Sequence, residues 1–290
     1  MSPARRRRQL LAFVCLGALG VGVAACGAKG QAAEDVTADI RASQASASKL
    51  TGTWPIPTTT TTTTAPPSLD PATGLSISGP MGPPWPTTFT AADALVPSVA
   101  LYSAPGVRVP TNRSLPNPTV EGVPLVFLVR KRQTVHDVQW LQVQINERPN
   151  GATAWIKSSD VRTRSVLYHL LIELGARRLT VFHGDQVVWS TSVAPGKPSS
   201  PTPTGAFYVD IRTKTGNPGG AYGPYQISFT GFSTVYEHFG SGNGQVAMHG
   251  TNDPNLIGTY ASHGCVRMNN ADITHLLGLA IQGSPVIVVS

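Results

Sequence analysis

Apolar residues recur along this chain at two spacings, and one long stretch has no regular spacing at all. From residue 93 onward the dominant spacing is that of β-strands. Val123–Arg130 is an apolar, strand-like run, and Trp140-Leu141-Gln142-Val143-Gln144-Ile145 alternates with period two, as a half-buried strand does. Glu147-Arg148-Pro149-Asn150-Gly151 then supplies a turn with an Asn-Gly tip, and Thr153-Ala154-Trp155-Ile156 resumes the sheet. Further along, Tyr168–Leu174 and Arg178–His183 flank Gly175-Ala176 as the arms of a hairpin. Gln186–Val193 follows as another strand after the turn His183-Gly184-Asp185. Helical spacing occurs once, near the end. Asn269 or Asn270 is placed to cap a helix through Ala271–Ile281, with Gly283 ending it and Pro285 just beyond. Leu276, Leu277, Leu279 and Ala280 give that helix an apolar side, and Pro285–Val289 reads as a final buried strand. The expected fold class is mainly β with one short helix.

Residues 26–92 carry neither spacing. Ala, Ser and Thr dominate first, Thr58–Thr64 is an unbroken threonine run, and seven prolines follow between Pro66 and Pro86. Such a composition buries too little apolar area to offset its ordering entropy. A disordered, extended stalk is expected there. Ahead of it, Arg5–Arg8 form a positive run and Leu10 to Ala25 are apolar or small almost throughout. That stretch is short for a bilayer span and suits the apolar segment of an export signal. It ends in Val23-Ala24-Ala25-Cys26, which resembles a bacterial lipobox, so Cys26 is the candidate for lipidation. An ordinary cleaved signal with an incidental Cys26 is the alternative, and the arginine run leaves a twin-arginine export route open. The expected organisation is a signal peptide over 1–25, a stalk over 26–92, and β units over 93–163 and 164–290. The expected location is outside the cytoplasm, lipid-anchored to the cell membrane.

Charge changes the picture little. The formal net charge is +7, from 22 basic and 15 acidic side chains. Four of the basic residues are Arg5–Arg8, so the remainder carries 18 against 15, or +3. That excess is too small to argue for a nucleic-acid partner. Cysteine usage says more. Cys15 lies inside the signal, Cys26 would be acylated, and Cys265 alone remains in the expected folded part. A lone thiol in a compartment that favours disulfides reads either as a reactive group or as a buried, inert one.

The neighbours of Cys265 favour reactivity. The segments are Met248-His249-Gly250-Thr251 and Ser262-His263-Gly264-Cys265-Val266-Arg267. A thiol attacks as thiolate and needs a base or positive surroundings. Two histidines and an arginine stand close in sequence, and Gly264 lets the backbone turn N–H groups toward a developing oxyanion. Two His and one Cys with no fourth ligand make a poor structural zinc site, so no metal is expected. On spacing alone, His263 and His249 are both candidates for the base.

The second segment resembles the signature of the L,D-transpeptidase family, the YkuD-type catalytic domain. The upstream His249-Gly250-Thr251 and the element Thr202-Pro203-Thr204-Gly205-Ala206-Phe207 match that family too, in its order, across 164–290. The resemblance implies a β-rich catalytic fold with its helix close to the active site. It implies Cys265 as nucleophile and His249 as general base, oriented by a backbone carbonyl, in this chain that of Gly250. It also implies an oxyanion hole from the N–H groups of Gly264 and Cys265. Ser262 would shape the turn, and Arg267 would bind a substrate carboxylate or lock the loop by a salt bridge. The implied reaction joins peptidoglycan stem peptides, a tetrapeptide donor and an amine acceptor, into 3→3 cross-links through a thioester, with no cofactor. β-Lactams of the carbapenem type would be inhibitors. The same residues with water as acceptor would make an L,D-carboxypeptidase. A purely peptidoglycan-binding lipoprotein would call for a damaged motif.

Two further features are of lower information. Gly216–Tyr225 is a glycine-rich loop in which Tyr222 and Tyr225 are candidates for substrate contact, as part of a lid; an ordinary surface loop is the alternative. Trp140–Val143, Pro149-Asn150-Gly151 and Ala154-Trp155-Ile156 resemble a bacterial SH3-like module over 93–163, with Ala154 where that module carries glycine. That resemblance implies wall binding or a spacer role.

Overall fold

A computed structural model describes residues 86–108 and 110–290. The expected signal, Cys26 and the stalk up to residue 85 lie outside the described residues.

The first part of the described chain supplies seven strands: Phe89–Ala94 (β1), Ser98–Ala100 (β2), Ser114–Pro116 (β3), Val126–Val135 (β4), Val138–Gln144 (β5), Thr153–Lys157 (β6) and Val161–Val166 (β7). Five of them form an antiparallel sheet in the order β6-β5-β4-β1-β7, while β2 and β3 pair separately. The period-two reading of 140–145 holds, with one addition. Leu141, Val143 and Ile145 face a core with Phe127 and Ile156, as expected of one buried face. The other face is covered too: Trp140 packs edge-on against Tyr102, with Trp155 in the same cluster. The expected boundaries shift at both ends. The sheet begins at Phe89 rather than 93, because Ala91 and Ala92 are fully buried. It continues through the expected 163/164 boundary, because β7 pairs with β1 as far as Val166.

The second part adds Tyr168–Glu173 (β8), Arg178–His183 (β9), Gln186–Ser192 (β10), Gly205–Lys214 (β11), Tyr225–Phe232 (β12), Gln245–His249 (β13), Val266–Arg267 (β14), a helix Asn270–Leu279 (α1) and Pro285–Val289 (β15). They form an eight-stranded sheet in the order β10-β9-β8-β15-β11-β12-β13-β14. The terminal strand β15 is inserted centrally, parallel to β8 and antiparallel to β11, which explains its unbroken apolar run. α1 lies against β12 and β13 and buries Ile273, Leu276, Leu277 and Leu279. It ends at Leu279, two residues before the expected stop. Neither asparagine caps it through its side chain: Asn269 flanks the helix without such a bond, and the Asn270 oxygen accepts from the Thr251 N–H instead. The described chain is thus mainly β with one short helix.

Candidate active site

Strand order decides which motif residues meet. β13 carries Met248 and His249 to the end of the sheet, and β14 pairs with it in parallel, His249 opposite Arg267. The loop that joins β13 to β14 therefore returns Cys265 beside the strand that ends in His249. One cleft of about 270 Å³ is lined by His249, Ser262, His263, Cys265 and Arg267, together with Tyr222, Tyr236 and Phe239.

The turn before the thiol is built by Ser262, which is buried. Its Oγ accepts the Gly264 N–H at 3.0 Å and donates to the Cys265 carbonyl. Gly264 has φ +126°, a backbone conformation that favours glycine, and a Cβ there would sit tightly against Val246 Cγ1 at 3.3 Å. The segment after β10 braces this turn. Ala194 and Arg267 exchange two backbone hydrogen bonds, the Pro195 carbonyl accepts from the Ala261 and Ser262 N–H groups, and Lys197 N–H donates to Ser262 O. The Thr-Pro element explains the bracing segment in turn: buried Thr202 accepts the Gly196 N–H on Oγ1 at 2.9 Å. Three separated motifs thus form one hydrogen-bonded block.

His249 is buried, and its Nδ1 lies 2.6 Å from the Gly250 carbonyl. That contact makes Nδ1–H the donor and leaves Nε2 free to accept a proton. Burial pushes the imidazole down to about 4; the Gly250 carbonyl opposes the shift and Arg267 adds to it. Burial pushes the Cys265 thiol above its ordinary value, against a backbone hydrogen bond from Ala247 and the charge of Arg267. The Tyr222 ring stands 4.6 Å from that of His249, and its phenol is pushed up by burial and then by Cys265.

His263 stands apart from this pair. It is exposed at the mouth, its Nε2 is 3.2 Å from Lys197 Nζ, and its ring faces Phe239 at 5.4 Å. Its pKa is lowered by slight desolvation, then by Lys197 and Arg267. Three expectations are corrected. The Gly264 N–H, expected in the oxyanion hole, donates to Ser262 Oγ at 3.0 Å instead. Tyr225 is buried in the core at the start of β12, so it forms no wall of the cleft. A salt bridge locking Arg267 is absent among the described residues; its guanidinium lines the cleft with Nε unpaired.

Several lining residues left no mark in the sequence. Tyr236 and Phe239 come from the irregular segment 233–244, which has neither periodicity nor motif. Asn270 was legible only as a helix cap. In the fold it sits where Gly223 and Gly250 meet: a Cβ on either would fall 2.2–2.3 Å from its Oδ1. No cluster of His, Cys, Asp and Glu suited to a metal occurs among the described residues.

Comparison with known proteins agrees with the motifs. The YkuD family model, described as an L,D-transpeptidase catalytic domain, matches residues 167–288. The chain is 35% identical over 124 residues to "Putative L,D-transpeptidase YkuD" of Bacillus subtilis, covering 43% of this chain and 67% of that protein. It is 33% identical over 122 residues to the protein of the same name from Bacillus licheniformis, covering 42% and 66%. Among solved structures, a mutant of the Enterococcus faecium L,D-transpeptidase aligns at 22% identity, covering 42% of this chain and 49% of that one. The chain thus spans about half of that structure, and the TM-score of 0.32 is too low to bear on the fold.

Proposed function

The chain belongs to the L,D-transpeptidase family, and from that premise we propose that it cross-links peptidoglycan through a Cys265 thioester. One observation carries the reading: His249, held in a single tautomer by the Gly250 carbonyl, shares its cleft with the thiol of Cys265.

In this mechanism Cys265 Sγ attacks the carbonyl after the third residue of a donor tetrapeptide while its proton passes to His249 Nε2. The Cys265 N–H stabilises the oxyanion. The C–N bond to the terminal D-alanine then breaks, and the departing amine takes the proton from His249. A side-chain amine of a second stem attacks the thioester, gives up a proton to His249, and forms the 3→3 amide as the thiol is restored. Arg267 offers a cation to a donor carboxylate. This role gains support from the cleft lining, which contains no acidic residue, and from the absence of any ion pair to Arg267 among the described residues. Tyr222 covers His249 and narrows access for water. No residue of the site calls for a cofactor.

The rest of the reading concerns placement. The signal-like N-terminus and Cys26 support export and lipid anchoring, with the stalk expected over 26–92 as a reach toward the wall. The SH3-like resemblance over 93–163 supports a wall-binding or spacer role for the five-stranded sheet. No helix among the described residues is long and apolar enough to cross a membrane.

The test incubates the full chain and Cys265→Ala with disaccharide tetrapeptide and reads products by mass spectrometry. The expected product is a dimer lacking one D-alanine, absent in the variant. A tripeptide as sole product would replace the reading with an L,D-carboxypeptidase. No Cys265-dependent product from the folded protein would sink both.

A further inference from the structure

We propose that the five-stranded sheet takes part in substrate binding: its β5–β6 turn clamps segment 233–244, a wall of the cleft, and Arg148 is the positioning residue of that clamp. The inference rests on the function proposed above.

The wall needs an outside support. Ser233, Tyr236, Phe239 and Gly244 line the cleft, yet the segment between β12 and β13 contains no strand and no helix. Its own backbone bonds are few: Ser233 N–H to Gly244 O at 2.8 Å, and a mutual pair between Phe239 and Gly242. A loop with so little internal pairing opens readily unless something else ties it.

The turn Glu147–Gly151 supplies the tie. Arg148 Nη1 donates to Ser233 O at 2.8 Å, and Nη2 donates to Tyr236 O at 2.8 Å and to Asn243 O at 3.4 Å. One guanidinium therefore gathers the start, middle and end of the segment. It also lies over the Phe232 ring, 4.9 Å from the centroid. Asn150 closes the end of β12: its Nδ2 donates to Phe232 O at 2.9 Å, and its Oδ1 accepts the Phe232 N–H at 2.8 Å. Just ahead of that turn, Asn146 reaches Asp210 at 2.7 Å and Gln245 at 3.3 Å.

The segment is shaped to receive this guanidinium. Gly244 has φ +76°, and a Cβ there would stand 2.8 Å from Arg148 Nη2 and 2.3 Å from Tyr236 O. Arg148 belongs to none of the ion pairs among the described residues, so its charge is directed at neutral carbonyls. Only a planar fork with several donors reaches three carbonyls at once; a lysine ammonium would not reproduce the set. The segment held this way carries Tyr236 and Phe239 to the mouth, around His263. Arg148 lies outside the stretch matched by the family, 167–288.

The experiment uses the full chain, Arg148→Ala and Arg148→Lys, with three readouts. Amide exchange over 233–244 reports the clamp. KM and kcat for disaccharide tetrapeptide report binding and chemistry. Alkylation of Cys265 by iodoacetamide reports the thiol without the wall. In Arg148→Ala, exchange over 233–244 should rise about tenfold while that of β8 and β9 stays put. KM should rise several-fold, with kcat and the alkylation rate within about twofold of wild type. Arg148→Lys should fall between. Unchanged exchange over 233–244 would overturn the proposal. So would equal losses in KM, kcat and alkylation, which would mean general damage. If Arg148→Ala fails to fold, Asn150→Ala gives the same readouts with the guanidinium kept. Should the wild type turn over no stem while exchange still responds to Arg148, the proposed function fails and the clamp stands as a structural tie only. Turnover with KM indifferent to Arg148 sinks the substrate-binding role itself.

Discussion

In the proposed reaction, Cys265 and His249 start as a neutral pair. Burial holds the thiol above its ordinary value and the imidazole near 4, so at neutral pH the cleft they share holds a thiol and a free base. A lowered pKa means that the proton-accepting form of His249 survives as pH falls, and is lost only toward 4. Acylation of Cys265 by a carbapenem, followed by intact-mass spectrometry, should therefore keep a flat rate across roughly pH 5–8. An acid limb centred near 6.5, that of an ordinary histidine, would contradict the burial argument. An equal adduct on Cys265→Ala would rule out the thiol. At this scale much was legible beforehand, because the chemistry needs a thiol, a base and a flexible glycine in a fixed local order. What stayed hidden was the use of each backbone group. Nothing in the string Ser262-His263-Gly264-Cys265 says that the serine hydroxyl consumes the Gly264 N–H; that follows from the turn they form. Tyr222 and Tyr225 are likewise alike in sequence. One lies over His249, 43% exposed, and the other enters β12 and the core.

Among the elements, the Gly216–Pro224 loop is tied to β13 by contact between two glycines. Gly223 has φ +62°, and a Cβ on it would fall 2.6 Å from Gly250 Cα and 2.2 Å from Asn270 Oδ1. Gly223→Ala has to displace either the loop that carries Tyr222 or the strand end that carries His249. The expected result is a loss of about 1–3 kcal/mol of stability, with carbapenem acylation slowed as well. Gly122→Ala is the control. That glycine also has positive φ (+79°), but its Cβ would enter open space. It should cost only about 1 kcal/mol in thermal melts and leave acylation unchanged. Equal acylation rates in the two variants would mean that the loop does not position the site. The strands themselves were mostly visible from period two, whereas helix α1 was read two residues too long. Its last expected turn is given up because the chain must reach Gly283, whose N–H pairs with Val209 O.

At the scale of the molecule, the two sheets are joined through polar groups as well as packing. Arg164 pairs with Asp93 and reaches the Gln282 carbonyl at 2.7 Å, and Gln144 donates to Ala206 O at 3.0 Å. Buried Asp210 lies at this junction, between Asn146 and Gln245. Burial raises its carboxyl to about 6, although the Gln245 bond pulls the other way. The folded state therefore prefers the protonated acid, and a stability cost develops as pH rises from 3.8 through about 6. Asp210→Asn keeps the shape and an oxygen for both donors while removing that charge. Its stability relative to wild type, read from thermal melts, should be higher at pH 8 than at pH 5 by about 1.4 kcal/mol at most. His169 gives wild type the opposite trend: burial lowers it to about 4, so its contribution falls as pH drops below 6.5. A variant–wild-type difference that does not change with pH would show that the fold leaves the Asp210 carboxyl at its unfolded-state pKa.

The sequence alone determined the strand-rich class and singled out the candidate nucleophile and the set of motifs that belong together, because strand periodicity and reactive-group chemistry are local properties. Only the tertiary structure decided which of two histidines is buried beside the thiol and which is exposed at the mouth. It also decided that the Thr202 element braces the turn before Cys265 and that Arg148, in the turn between β5 and β6, reaches the carbonyls of the cleft wall. Those contacts join residues far apart in the chain, and their geometry is set by strand order, which no local pattern encodes.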